Sequence, residues 1–536
     1  MAGPLWTLAC ASAAIVATSC ARNWPWSCAG PGWGACSLAS EGAASGLRLC
    51  RLARFLLGAL LGLLTPPCCC RPAANEECKS ALGQRRRESL WVVCLVALLG
   101  VAVYWQVGRQ VPVAAGLARL APPGPVSARG ESSQAPAKVT ILGPWTGPAL
   151  ESFWAAVQPY ARRTHIAVDY ESTPDVATVL AGRIEEATAP DIAVLPGVAL
   201  LQQYARAGEL VALEPLLDTR LLTTGYPPGW PELVSSGGHV YGLLFRAVNQ
   251  SLVWYSPTQF QRRRWAVPAT WSELVALSER IAQSGLAPWA LGLKSRVADG
   301  QAGTVWIENI LLRTGGPQLY DQWVRHEIPW THPAVAQAFR TWGQLVGRPQ
   351  HLWGGVGGTL AAPPADAALA LFESLPGAYL CLGDSAAQPV IAQRFPQQAG
   401  GKDYDFFALP PMAAGEEAPV VGGADVLVLL RATPQAIALL AYLTSAEAQT
   451  LWAQRGGFIA LGAGVDAEAY PDPLSRRAAQ QLLGSRNLRY DASAQMPPDV
   501  ERAFCSAVCQ FVADPGQLEA ILQGVEEAAQ AAYARR

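Results

Sequence analysis

The chain has 536 residues, of which 51% are hydrophobic and 15% charged, and its formal net charge is −1. That balance excludes a disordered chain, which needs low hydrophobicity and high charge, and a bulk nucleic-acid binder, which needs a basic excess. The length suffices for two or three ordinary domains, and the composition fits a soluble body joined to one membrane segment.

Residues 1–88 hold nine of the 13 cysteines and are rich in Gly, Ala and Pro. They contain no C-x-x-C pair, and the first histidine is His165, so the spacing of a structural zinc site is missing. The segment reads as disordered, or as sequence upstream of the true start. Residues 89–108 carry no charge, the length of apolar helix that crosses a bilayer. Arg85, Arg86 and Arg87 precede this run and Arg109 follows it. The positive-inside rule therefore predicts a single-pass anchor with a cytoplasmic N-terminus and residues 109–536 extracellular or periplasmic. A cleaved signal is the alternative. Residues 109–136 are rich in Pro, Ser and Ala and read as a linker.

Residues 1–88 carry 9 basic and 4 acidic side chains and residues 89–136 carry 3 and 1, so the remainder is acidic. In that body the pattern predicts a strand at 138–142, a Gly/Pro turn through Trp145 and Thr146, and a helix marked by Leu150, Phe153, Trp154 and Val157. A strand at 166–170, a helix near 176–187 and a strand at 191–195 follow. This βαβαβ order predicts an α/β fold with a parallel sheet, whose ligands sit beyond the carboxyl ends of the strands. No phosphate-binding glycine loop, G-x-S-x-G or H-E-x-x-H motif occurs, and the five histidines are scattered. Binding is favoured over catalysis, with no cofactor and no metal expected.

Several ordered stretches then resemble a known family. They are His239-Val240-Tyr241-Gly242, the run Phe245 to Tyr255, Pro268-Ala269-Thr270-Trp271-Ser272-Glu273-Leu274, and Trp306-Ile307-Glu308. Later ones are Phe406 to Met412, Gly422-Gly423-Ala424-Asp425, Gly456-Gly457-Phe458-Ile459 and Tyr490-Asp491-Ala492-Ser493. Along nearly all of 137–536 the chain resembles the extracellular solute-binding proteins of carbohydrate ABC importers. Within them it is most similar to the alpha-glucoside-binding branch of the maltose-binding-protein group. The resemblance implies a two-lobed, type II-like periplasmic-binding-protein fold with several hinge crossings. Lobe 1 is expected at 137–247 and 427–453, and lobe 2 at 251–424 and 455–536. It also implies a sugar held between the lobes and handed to permease subunits in the membrane.

Sugars present apolar CH faces and a rim of hydroxyls, which suit Trp faces and polar side chains respectively. Trp145, with Thr146, stands at a strand's carboxyl end as a stacking candidate, or packs within its own lobe. Trp306 and Trp353 are further candidates, with core packing and loop cover as alternatives. Trp154, Trp271, Trp342 and Trp452 read as helix core. Arg246 and Asn249 flank the first crossing; Arg246 is either a ligand contact or a structural ion-pair partner. Asp425, Glu308, Asp384 and Ser385 complete the expected ligand-binding set.

Four positions depart from the family. Gln250 stands where a Lys is usual, Val305 where an acid is usual, Gly383-Asp384-Ser385 where bulkier contacts are usual, and Cys505 where a sugar-stacking Trp is common. Ligand identity is therefore left open. Cys381 is expected to pair with Cys505 or Cys509 in a disulfide, the alternative being three free thiols. A bilobal sensory receptor and an anchored glycosidase are the competing functions.

Overall fold

A computed structural model describes residues 137–218, 220, 226–461 and 464–535, all within one compact unit. The expected anchor at 89–108, the linker at 109–136 and the segment 1–88 lie outside the described residues. Among the described residues no helix is long and apolar enough to cross a membrane.

The predicted βαβαβ opening is present. Strands β1 (Lys138–Gly143), β2 (Ala167–Ser172) and β3 (Ile192–Leu195) pair in parallel with β1 central, in register Ile141 with Tyr170 and Ile141 with Ile192. All four residues of β3 are buried, as a strand covered by helices on both faces requires. The helix Gly147–Thr164 starts on Pro148, and its last turn carries Arg162 and Arg163, charges that suit the negative end of the helix dipole. Strand β3 starts one residue later than expected, at Ile192, and Asp191 ties its side chain to β1. Its Oδ2 accepts hydrogen bonds from the Thr140 N–H at 2.8 Å and the Thr140 hydroxyl at 2.9 Å.

A short pair, β4 (Ser235–Ser236) and β5 (His239–Val240), precedes β6 (Gly242–Asn249). Asn249 to Ser251 carry the chain out of the first sheet into β7 (Leu252–Tyr255), the middle of a second sheet with β8 (Cys381–Gly383) and β9 (Asp405–Ala408). The chain returns through β10 (Val420–Leu429), which runs antiparallel to β3 and β6, and β11 (Leu488–Tyr490) pairs with it in parallel.

The family-like Pro268-Ala269-Thr270-Trp271-Ser272-Glu273 stretch starts the helix Trp271–Gln283. Thr270 Oγ1 accepts from the Glu273 N–H, and Glu273 Oε2 accepts from the Ala269 N–H. Each side chain thus satisfies a backbone donor that the helix start leaves open.

Buried apolar side chains form two clusters. One gathers Trp145, Phe153, Phe245, Trp452 and Phe458 around the first sheet. The other gathers Trp306, Trp323, Trp330, Phe339 and Phe504 among helices that include Gln301–Val324 and Pro498–Ala513. Trp254, Trp289, Trp306, Trp323, Trp330, Trp342 and Trp452 are all fully buried. Much of the tryptophan excess therefore fills cores, where each ring removes ~150–250 Å² from water.

Candidate functional site

A cavity of about 390 Å³ opens where segments of both sheets meet, within the ~300–1,000 Å³ range of small-molecule pockets. Thr146 and Ser152 reach it from the turn and helix after β1. Arg246 and Gln250 reach it from the first crossing, and Asp384 from the turn after β8. Most of the remaining wall is apolar, with Val305, Leu369 and Ile391 among its members.

Arg246 and Asp384 are the charged side chains of this wall, and Asp425 stands behind Arg246. Arg246 Nη1 lies 3.0 Å from Asp425 Oδ2, and the same oxygen accepts the Trp145 Nε1–H at 2.7 Å. Asp384 Oδ1 accepts from the Ala386 N–H at 2.8 Å. Burial pushes the Asp384 carboxyl above the usual carboxylate range, while the Arg246 guanidinium pulls the other way.

The candidate residues divide in their placement. Thr146, Arg246 and Asp384 line the cavity, and Asp425 holds Arg246 from behind. Trp145 is 3% exposed and does not line it. Its ring stacks on Tyr170 with centroids 5.8 Å apart and meets Trp452 edge-on at 4.9 Å. Trp306 packs edge-on against Trp289 in the second core. Glu308 is fully buried behind the wall, where its carboxylate accepts from the Ala492 and Ser493 N–H groups and the Tyr320 hydroxyl. Burial first, then the Asp491 charge, holds the Glu308 carboxyl well above its usual range. Asn249 and Ser385 are buried and stitched together: Ser385 Oγ accepts the Asn249 N–H at 3.1 Å. Trp353 is half-buried and closes over Gly377, where an added Cβ would lie 2.4 Å from its Nε1.

The expected disulfide is not formed: Cys381, Cys505 and Cys509 are free thiols. Cys381 stands in the cavity wall, whereas Cys505 and Cys509 lie on the helix Pro498–Ala513, where the Cys505 carbonyl and the Cys509 thiol approach Gly300. Burial pushes the Cys381 thiol up to about 12, with the Asp384 charge adding to the effect, so it is not a nucleophile at neutral pH.

Other wall residues stand outside the candidate set, among them Ser152, Gln250, Trp452 and Gly457. Gly457 had a legible signal, the Gly456-Gly457 pair. Both have positive φ, and a Cβ on Gly457 would meet Pro389 Cγ at 2.7 Å. Of the sites read from the sequence as departures, Gln250, Val305 and the Gly383-Asp384 turn line the cavity, but Cys505 does not.

The description "bacterial extracellular solute-binding protein" matches residues 144–450. The chain belongs to that family. It is 36% identical over 376 residues to the osmoprotective compounds-binding protein GgtB of Synechocystis sp., covering 70% of this chain and 88% of that one. It is 30% identical over 403 residues to the alpha-glucosides-binding periplasmic protein AglE of Rhizobium meliloti, covering 73% and 86%. Among solved structures it superimposes on the bacterial solute receptor AcbH with a TM-score of 0.64 at 20% identity, over 74% of this chain and 100% of that one. The raffinose complex of RafE gives a TM-score of 0.59 at 16% identity, over 74% and 100%. These likenesses establish the two-lobed α/β fold of solute-binding proteins.

Proposed function

We propose that this extracellular solute-binding protein captures a neutral sugar of the alpha-glucoside or osmoprotectant class and presents it to an ABC permease. The observation that carries this reading is the composition of the cavity wall. Its guanidinium is already paired with Asp425, and its walls are largely apolar. A ligand with an apolar CH face and a rim of hydroxyls matches such a wall, whereas an anionic ligand would have to displace Asp425 from Arg246 or remain uncompensated beside Asp384. The relatives GgtB and AglE, named for osmoprotective compounds and alpha-glucosides, support the same class.

The protein is a receptor rather than a hydrolase. Hydrolysis of a glycosidic bond needs two carboxyl groups flanking it. Here Asp384 is in the wall, Asp425 is tied to Arg246 and Trp145, and Glu308 is sealed behind the wall. On this reading lobe 1 comprises 137–247 and 427–453 and lobe 2 most of 251–424 and 455–536, the turn at Phe458 and strand β11 packing back on the first sheet, with residues 89–108 as the membrane anchor. Hinge closure buries the ligand. The test is calorimetry of a chain beginning at Arg129, the start of the compact unit, against sucrose, trehalose, maltose and glucuronate. The neutral glucosides bind one to one and glucuronate does not.

A further inference from the structure

Among the described residues that line this cavity, Gln250 alone has a buried side-chain polar atom without a hydrogen-bond partner, its Oε1. Its Nε2 donates to Asp491 Oδ2 at 3.0 Å. A carboxylate oxygen only accepts, so the amide nitrogen must face Asp491 and the carbonyl oxygen must face elsewhere. A buried acceptor without a partner is costly, so such an atom calls for a donor.

The amide also joins two chain crossings. The Gln250 backbone N–H donates to Val421 O at 2.9 Å, and its carbonyl accepts from Asn309 Nδ2 at 3.2 Å. These bonds fix residue 250 to the return strand and to the helix Gln301–Val324. Its side chain reaches Asp491, whose Oδ1 accepts from the Ser493 hydroxyl at 2.7 Å and the Ala494 N–H at 3.0 Å. Ala494 in turn abuts Gly197, at the start of the helix Val198–Ala207, where an added Cβ would lie 2.8 Å from the Ala494 Cβ. One amide therefore connects the cavity wall to a turn that bears on the first-sheet side.

We infer that Gln250 Oε1 accepts a hydroxyl of the bound solute, and that its grip on Asp491 ties cavity occupancy to the turn at 491–495. This rests on the sugar reading above and names a specificity-determining contact within it. A lysine at this position would present only donors; the amide presents an acceptor instead. The wall at 250 thus selects a hydroxyl donor and rejects a carboxylate, whose oxygens would face an acceptor.

The test uses the full chain in a non-glycosidic detergent, with sucrose, trehalose and maltose as probes and mono-deoxy analogues of whichever binds. Wild type loses at least ~10-fold in affinity for one mono-deoxy analogue, about 1.4 kcal/mol. Q250K keeps a donor for Asp491 and removes the acceptor. It melts within about 3 °C of wild type, binds the parent sugar ~10-fold more weakly, and no longer discriminates against that analogue. Q250L loses the same discrimination. The inference is overturned if every deoxy analogue binds wild type within about threefold of the parent. It is also overturned if Q250K or Q250L keeps both the affinity and the discrimination. If wild type binds none of the probes, the sugar reading falls and this contact falls with it. If wild type binds and the variants are unaffected, only the role of Gln250 falls.

Discussion

Trp145 and Asp425, 280 residues apart in sequence, are joined by a 2.7 Å hydrogen bond from the indole Nε1 to Oδ2. The same carboxylate oxygen holds Arg246 at 3.0 Å. One acid on the return strand therefore fixes both the turn after β1 and the guanidinium of the cavity wall. Both members of the ion pair are mostly buried, with side chains 18% and 14% exposed.

Replacing Asp425 by Asn removes the countercharge and leaves the guanidinium unpaired at the wall. Losing one partner of such a pair costs about 2 kcal/mol in stability. D425N is expected to melt several degrees lower and to bind neutral sugar at least ~10-fold more weakly. Thermal melting and calorimetry on the same preparation check both.

Glu501 gives a pH signature. Burial, with the Asp491 charge adding and Arg502 opposing, pushes its carboxyl from 4.5 up to about 7. The folded chain then keeps a proton that the unfolded chain has already released. Stability is therefore lost as pH rises from about 4.5 to about 7 and stays lower above that. E501Q removes this loss. Denaturant unfolding is expected to show E501Q more stable than wild type at pH 8, by about 2–3 kcal/mol, and equal to it near pH 4.

Gly457 tests the wall by shape. Its φ of 65° disfavours any side chain, and a Cβ would press on Pro389. G457V is expected to lose about 2 kcal/mol or more of stability through left-handed strain and the clash. Sugar affinity falls with it, because both residues line the cavity.

The three cysteines of the described region are expected to react as thiols. Alkylation in denaturant without reductant, read by peptide mass spectrometry, labels Cys381, Cys505 and Cys509 in full. Under native conditions Cys381 and Cys505 label slowly, since both are buried.

The opening strands were legible in the sequence because they rest on local pattern, whereas the helix start at Thr270 and the crossings were legible through the resemblance to a family. Thr146 and Asp384 were legible as wall residues because they follow strand ends, and Arg246 because the family resemblance places cleft residues at the crossing. Trp306 was not, because one residue along a helix turns a side chain by about 100°; Glu308 shares a face with Val305, but its carboxyl is taken by the Ala492 and Ser493 N–H groups, partners remote in sequence. On the helix Gln301–Val324 it is Ala302 and Val305 that line the cavity, while Trp306 turns into the second core and Glu308 is fully buried. Trp145 stands at the expected strand end, but its indole is turned to Asp425, a partner that no local pattern reveals. Gln250 stood out only as a departure from the family; its bond to Asp491 spans 241 residues.

The most direct measurement is titration calorimetry of residues 129–536 with sucrose, trehalose, maltose and glucuronate, with wild type and D425N side by side. One-to-one binding of a neutral glucoside by wild type, weakened at least ~10-fold in D425N and absent for glucuronate, is the predicted result. Tight binding of glucuronate with no response to any neutral sugar would contradict the central claim, as would hydrolysis of the bound glucoside.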